Sequence, residues 1–109
     1  MPKSSAAEDL SPFATPALLV MATLADGPKH GYAIMQEAEL ISGQPLGPGT
    51  LYAALARLER RGLIEALPAE ERRRPYRLTA HGATTLQAHL DQLRSFTRQA
   101  LERLEGGAA

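Results

Sequence analysis

The sequence has no cysteine, no tryptophan, few aromatic residues and no net charge of either sign. Without cysteine the chain can form no disulfide, and thiol catalysis and cysteine-ligated zinc are excluded. No apolar run approaches the roughly 18–20 residues that span a bilayer, and no signal peptide opens the sequence. We therefore expect a soluble, cytoplasmic protein with no membrane partner.

Catalytic signatures are missing as well. The three histidines are scattered, and His81 and His89 stand eight residues apart, beyond the i, i+4 spacing of helical metal pairs. No acidic residues cluster with them, no glycine-rich loop could cradle a phosphate, and the serines have no nucleophile setting. We expect no enzymatic activity, no metal and no cofactor.

The zero net charge argues at first against a nucleic-acid binder, but the charge is unevenly distributed. Residues 1–28 carry one basic and three acidic side chains, whereas residues 29–78 carry eight basic and six acidic ones. Residues 79–109 are balanced. The small basic excess therefore lies in the middle of the chain, where Arg72, Arg73 and Arg74 are consecutive.

The patterning of the 109 residues predicts one domain that is mainly helical (α+β). Apolar spacing and turn residues indicate helices from Thr15 to Leu24, Gly31 to Ile41 and Gly49 to Arg61, then strands over 63–67 and 75–78 and a closing helix. This order is that of a winged helix-turn-helix with one added helix. We predict a disordered leader (1–10), the winged domain (11–79), a dimerisation helix (80–105) and a flexible tail (106–109).

Four stretches of the chain carry a more specific pattern. They are LADGPKHGYAI from residue 24, PGTLYAAL from residue 48, Leu58-Glu59 with Gly62-Leu63-Ile64, and RRRPYRLTAHG from residue 72. In this order and spacing, over about residues 16–82, the sequence resembles the PadR family of bacterial transcriptional regulators. The short tail is similar to the compact subfamily, whose single C-terminal helix forms the dimer. The chain departs from the family at Ala53, where proline is usual, at Pro75, and at the wing tip, which lacks glycine.

The third helix is the candidate DNA reader, because helix-turn-helix proteins insert its N-terminal part into the major groove. The wing arginines suit phosphates or the minor groove, and the start of the second helix suits a phosphate. The alternatives are that Thr50 caps its helix, that Tyr32 is a core aromatic, that His30 is a turn residue, and that the arginines are merely solvated. The predicted DNA-binding residues are Lys29, Tyr32, Thr50, Tyr52, Ala53, Arg57, Arg60, Arg72, Arg73 and Arg74.

The closing helix carries an apolar seam with alternating steps of four and three residues, broken by Thr97. Self-association would bury this seam, and folding back onto the first helix is the alternative; the two are compatible. The predicted dimerisation residues are Leu86, Leu90, Leu93, Phe96, Ala100 and Leu104.

The resemblance further implies an effector site at the dimer interface, where flat hydrophobic compounds bind in the compact subfamily with the help of a tryptophan. This chain lacks that tryptophan, and we name Met21, Leu93 and Phe96 as candidate pocket walls; a closed interface is the alternative. The predicted function is a homodimeric repressor that binds a palindromic operator in double-stranded DNA and is released by a small hydrophobic or phenolic effector. The alternative is a winged-helix module for protein–protein interaction without DNA affinity.

Overall fold

From Pro16 to Ala108, four helices and a small sheet follow one another. The computed structural model of the protein describes Leu10 and residues 12–108, so most of the predicted leader lies outside the described residues. The elements are α1 (Pro16–Thr23), a 3-10 turn (Leu24–Asp26), β1 (Lys29–His30), α2 (Gly31–Ser42), α3 (Pro48–Arg60), β2 (Ile64–Ala66), β3 (Pro75–Leu78) and α4 (Ala80–Ala108).

Helix α1 lies at the centre of the packing. Its residues are apolar on nearly every side, and it contacts α2, α3 and the start of α4. Thr15 caps it, since the Thr15 hydroxyl oxygen accepts a hydrogen bond from the Leu18 amide at 3.1 Å. The core around it is formed by Ala14, Leu19, Val20, Met21, Leu24, Ile34, Ala38, Leu46, Leu51, Ala54, Leu55, Leu58, Ile64 and Leu86.

The sheet has three antiparallel strands in the order β1-β3-β2. The predicted hairpin is confirmed, with Ile64 opposite Leu78 and Ala66 opposite Tyr76. Strand β1 was not predicted, because two residues are too few to show an alternating pattern. It pairs with the start of β3, His30 opposite Pro75, and so attaches the wing to the beginning of α2.

The closing helix α4 begins where the sequence predicts and ends later. Thr79 caps it by accepting a hydrogen bond from the Gly82 amide at 2.9 Å, while the Thr79 hydroxyl donates to the Gly62 carbonyl at 2.6 Å. The helix continues through Gly106 and Gly107 to Ala108, so the prediction of a flexible tail from residue 106 is wrong for these residues. Glycine lowers helix propensity by about 1 kcal/mol but does not forbid a helix that preceding turns have already nucleated.

Gly82 lets α4 approach the strand connection closely. A Cβ atom at this position would overlap the backbone carbonyl oxygen of Leu63. This backbone cannot give way easily, because the Leu63 carbonyl also accepts a hydrogen bond from the Thr79 amide at 3.1 Å. The position of α4 relative to the winged domain therefore depends on the absence of a side chain here.

We expect Gly82→Ala to lower the free energy of unfolding by about 1–3 kcal/mol, the usual cost of forcing an extra methyl into a packed site. Gly106→Ala is the matched control on the same helix, because open space surrounds that position. It should raise the stability by up to about 1 kcal/mol through helix propensity. Urea denaturation measures both, and a Gly82→Ala variant as stable as the wild type would contradict the packing described.

Candidate nucleic-acid and dimer interfaces

Helix α3 presents one apolar face to the core and one polar face to solvent. Leu51, Ala54, Leu55 and Leu58 are buried. With about 100° between successive residues, this burial turns the opposite side outward. The outward side carries the predicted reader residues, all exposed: Thr50, Ala53, Arg57 and Arg60.

The capping alternative for Thr50 is wrong. The N-cap of α3 is Gly47, followed by Pro48 in the first helical position, and Thr50 lies inside the helix. Proline suits this position because its missing amide hydrogen would have no partner there anyway. The Thr50 hydroxyl is therefore exposed and free of a capping role.

The wing ends in a two-residue turn without glycine. The backbone amides and carbonyls of Glu70 and Arg73 bond to each other at 2.6 and 2.8 Å. Between them, Glu71 and Arg72 have φ angles of 48° and 71°, the left-handed conformation that tight primed turns require. A non-glycine residue pays for this conformation with roughly 1–2 kcal/mol. The turn holds the Arg72, Arg73 and Arg74 side chains at the exposed end of the hairpin.

Within the part of the chain that the structure describes, the arginines of α3 and the wing have no acidic partner. Across residues 12–108, the ion pairs within 4 Å involve Lys29, Arg77, Arg94 and Arg98 as the cations. Arg57, Arg60 and the three wing arginines are therefore available to an external anion. An arginine without a carboxylate partner is the side chain best suited to bind phosphate oxygens.

The wing and the body enclose a cleft of about 320 Å³, which we call the Arg-Tyr cleft. The cleft lies between the N-terminal end of α3, the wing and the start of α2. The lining residues are His30, Gly31, Tyr32, Tyr52, Arg72, Arg73, Arg74 and Tyr76.

Tyrosine hydroxyls add polar groups to this cleft. Tyr32 is 63% exposed, so the core-aromatic alternative for it is wrong. Burial, with a smaller contribution from the charge of Glu59, raises the pKa of Tyr76, which therefore stays a neutral hydroxyl at physiological pH.

Gly31 makes room for Tyr52. A Cβ atom at Gly31 would lie 2.6 Å from the Tyr52 hydroxyl oxygen. The first residue of α2 thus leaves room for the α3 tyrosine to lie against it.

Lys29 does not reach this surface. Its side chain is only 13% exposed; its ammonium pairs with Asp26 and with Glu37 at 3.5 Å, and it donates to the Thr23 carbonyl at 2.6 Å. The hydrogen bond from Lys29 also holds the pKa of Asp26 below its ordinary value. The predicted phosphate contact of Lys29 is therefore wrong: the ammonium ties the turn after α1 to α2.

Three cleft residues were not among the predicted DNA-binding residues: His30, Gly31 and Tyr76. The His30 imidazole Nε2 lies 3.3 Å from an Arg73 guanidinium nitrogen, across 43 positions in sequence. Only the missed strand β1 brings these two residues together. The RRRPY and HGY stretches draw attention to Arg73 and His30 separately, but nothing in them predicts that the two side chains touch.

The predicted dimerisation residues divide into two sets. Leu86 is buried in the domain's own core, so its assignment to an intermolecular seam is wrong. The remaining residues leave apolar surface exposed, most of all Leu104 at 69% and Phe96 at 68%. This second set is Leu90, Leu93, Phe96, Ala100 and Leu104.

Between α4, α1 and the end of α2 lies an apolar groove of about 380 Å³. Leu93 and Phe96 line it as predicted, but Met21 does not, because it points into the core. Helix α1 is apolar on all sides, so its sequence does not distinguish groove residues from core residues. The groove is lined by Phe13, Ala14, Leu18, Leu19, Ala22, Ile41, Ser42, Leu90, Leu93, Phe96 and Thr97.

Within residues 12–108 and Leu10, no three histidine or acidic side chains come close enough to hold a metal ion. None of the helices described here combines the length and the apolar character that crossing a membrane requires.

Comparison with known proteins places this geometry in a family. The model of the Transcriptional regulator PadR-like family matches residues 20–88. An uncharacterized 37.1 kDa protein of a Streptomyces fradiae transposon is 51% identical over 70 residues. That match covers 64% of this chain and spans only 20% of the relative's length.

Solved structures of regulators share the fold. A PadR family transcription regulator from Clostridium difficile has a TM-score of 0.74 and 26% identity, covering 82% of this chain and 97% of its own. A transcriptional regulator from Clostridium thermocellum has a TM-score of 0.68 and 24% identity, covering 94% and 97%. These matches confirm the predicted winged-helix fold and the predicted family resemblance.

The wing turn yields a stability prediction. Asparagine tolerates the left-handed conformation better than glutamate, so Glu71→Asn should stabilise the wing by about 0.5–1 kcal/mol. Amide hydrogen exchange at Glu70 and Arg73 reports this locally, since both amides close the turn. Glu70→Asn is the control, because it removes the same charge at a position without positive φ. Equal protection in both variants would show that charge, not backbone strain, governs the turn.

Proposed function

The chain belongs to the PadR-like family of transcriptional regulators, and we propose that it is a homodimeric repressor of a palindromic DNA operator. The observation that carries the proposal is the shared cleft. Tyr52 of α3 and the wing arginines line this one cleft, and none of the arginines of α3 and the wing has an acidic partner in the described part of the chain. We propose a cytoplasmic location, because a DNA-binding regulator acts on the chromosome.

The docking follows the usual geometry of winged helices. Helix α3 enters the major groove, where Thr50 and Ala53 meet base edges and Arg57 reaches a guanine or a phosphate. The wing arginines contact neighbouring phosphates or the minor groove. In a dimer, the two copies of α3 lie about 34 Å apart and read two half-sites one helical turn apart.

The exposed side of α4 supports the dimer. Helix α4 has 29 residues, and Leu86 near its start lies in the core of the domain. Farther along, large apolar side chains remain exposed, and the apolar groove lies beside them. We propose that α4 of a second copy covers this surface, so that residues 80–108 form the dimerisation helix and the preceding residues form the DNA-binding domain.

The apolar groove also supports an effector site. Its volume of about 380 Å³ lies within the range of small-molecule sites, and its walls are almost wholly apolar. A small hydrophobic or phenolic effector held between Leu93, Phe96 and α1 would favour one spacing of the two winged domains over another. Such a shift in population releases DNA when the favoured spacing no longer matches successive major grooves.

DNA binding is tested by fluorescence anisotropy with the gene's own upstream region and with random duplex at low salt. We expect tight, salt-sensitive binding to the upstream region and weaker binding to random DNA. Absence of binding to both would contradict the proposal and favour a protein–protein interaction module.

Two arginine variants separate the contacts. Arg72→Ala should weaken binding to all sequences and reduce the salt slope by about 1, because it removes one phosphate contact. Arg57→Ala should cost about 1–3 kcal/mol on the operator and also relax its specificity. Arg94→Ala is the control and should change neither, because Arg94 lies outside α3 and the wing and pairs with Asp91. Wild-type affinity in both test variants would overturn the docking.

The dimer is tested at Leu93. Leu93→Asp should give monomers in light scattering coupled to size exclusion, because a buried charge without a partner destabilises an apolar interface by several kcal/mol. Ala88→Asp is the matched control: it adds the same charge five residues earlier, about 140° around the helix. A Leu93→Asp variant that remains dimeric would place the interface elsewhere.

A further inference from the structure

The Arg-Tyr cleft brings the Arg73 guanidinium against the His30 imidazole. Arg73 stands at the wing tip, and one of its guanidinium nitrogens lies 3.3 Å from His30 Nε2. For this contact to be a hydrogen bond, the arginine must donate and the imidazole nitrogen must accept, since a guanidinium has no acceptor. The charge of Arg73 is therefore oriented but not neutralised.

The other lining groups suit a phosphate. Arg72 and Arg74 add two more guanidiniums, and Tyr32 and Tyr52 bring hydroxyls that can donate to an oxygen anion. Among the described residues, no carboxylate lines the cleft, although Glu70 and Glu71 precede the arginines in sequence. A site rich in donors and free of carboxylates attracts an anion, and the tetrahedral oxygens of a phosphate match several donors at once.

The position of each group is fixed by the fold. His30 pairs with Pro75 at the start of the central strand, so its backbone is tied to the base of the wing. Tyr52 lies against Gly31, where any side chain would displace its hydroxyl. Arg73 itself closes the wing turn through its backbone. Strand β1, helix α3 and the wing turn thus bring His30, Tyr52 and Arg73 to one cleft.

We propose that the Arg-Tyr cleft binds a single phosphodiester of the DNA backbone, held by Arg73 and the Tyr52 hydroxyl, with His30 as the positioning residue of Arg73. This inference rests on the proposed function and assigns one contact within it. His30 acts through Arg73: it holds the guanidinium over the cleft before DNA arrives, so that less side-chain freedom is lost on binding.

The test is a scan of the operator with single methylphosphonates, each of which replaces one charged phosphate by a neutral group. Operator sequences are first selected from random duplexes with the full chain. Wild-type protein should lose affinity about 10–100-fold at one particular phosphate in each half-site, the typical worth of one hydrogen bond to a charged group. The Arg73→Ala variant should bind the unmodified operator more weakly than the wild type does. A methylphosphonate at that position should then cause no further loss of affinity.

Matched variants distinguish a residue that contacts the phosphate from a residue that only positions Arg73. Arg60→Ala, on α3, should keep the sensitivity at that phosphate, because Arg60 does not line the cleft. His30→Ala should lower affinity about 3–10-fold, and His30→Gln should restore most of it because the glutamine amide oxygen can accept from Arg73. If both His30 variants melt at the same temperature as the wild type, the effect is not loss of folding. If glutamine rescues nothing, His30 is not a positioning residue and the inference fails.

Failure of this inference and failure of the proposed function give different results. If the protein selects an operator but Arg73→Ala is as sensitive as the wild type at every phosphate, the cleft contact is wrong and DNA binding stands. If no DNA is selected, the proposed function fails, and the cleft is tested with the dinucleotide dTpdT. The Arg73 Nε–H resonance should then shift with dTpdT and not with its neutral methylphosphonate analogue; absence of that shift overturns the inference.

Discussion

The burial of one face of α3 is the constraint on which the DNA-binding surface depends. Leu51, Ala54, Leu55 and Leu58 pack into the core around α1, which fixes the rotation of the helix about its own axis. The polar side chains have no freedom to face elsewhere. A helix rotated by one residue would turn the reading face aside by about 100° and expose part of the leucine stripe.

Two glycines allow neighbouring elements to pack closely around this helix and the winged domain. Gly31 allows Tyr52 to lie against the start of α2, and Gly82 allows α4 to lie against the Leu63 carbonyl. The first contact shapes the cleft beneath the wing, and the second sets the direction in which α4 leaves the domain. Both glycines act through the space they leave, since neither has a positive φ. In a dimer built on α4, the direction of that helix decides the spacing of the two reading helices.

Much of the fold is predictable from local pattern, because the apolar spacing of α3 and the cap at Thr79 are encoded within a few residues. The site is less predictable, because its contacts join distant segments. Lys29 looks like a free cation until the turn after α1 brings Asp26 and Glu37 to it. His30 acquires its partner only through the two-residue strand β1. Met21 and Leu86 were misassigned because an apolar residue does not specify whether its own core or a neighbour covers it.

In the proposed function, α3 and the wing form one DNA-binding face on a chain with no net charge. Amide NMR spectra of the full chain, recorded as duplex operator DNA is added, locate that face. We expect the largest shifts in residues 50–60 and 70–76, and we expect these shifts to fade as salt is raised. Shifts confined to α4, or none in α3 and the wing at saturating DNA, would contradict this assignment.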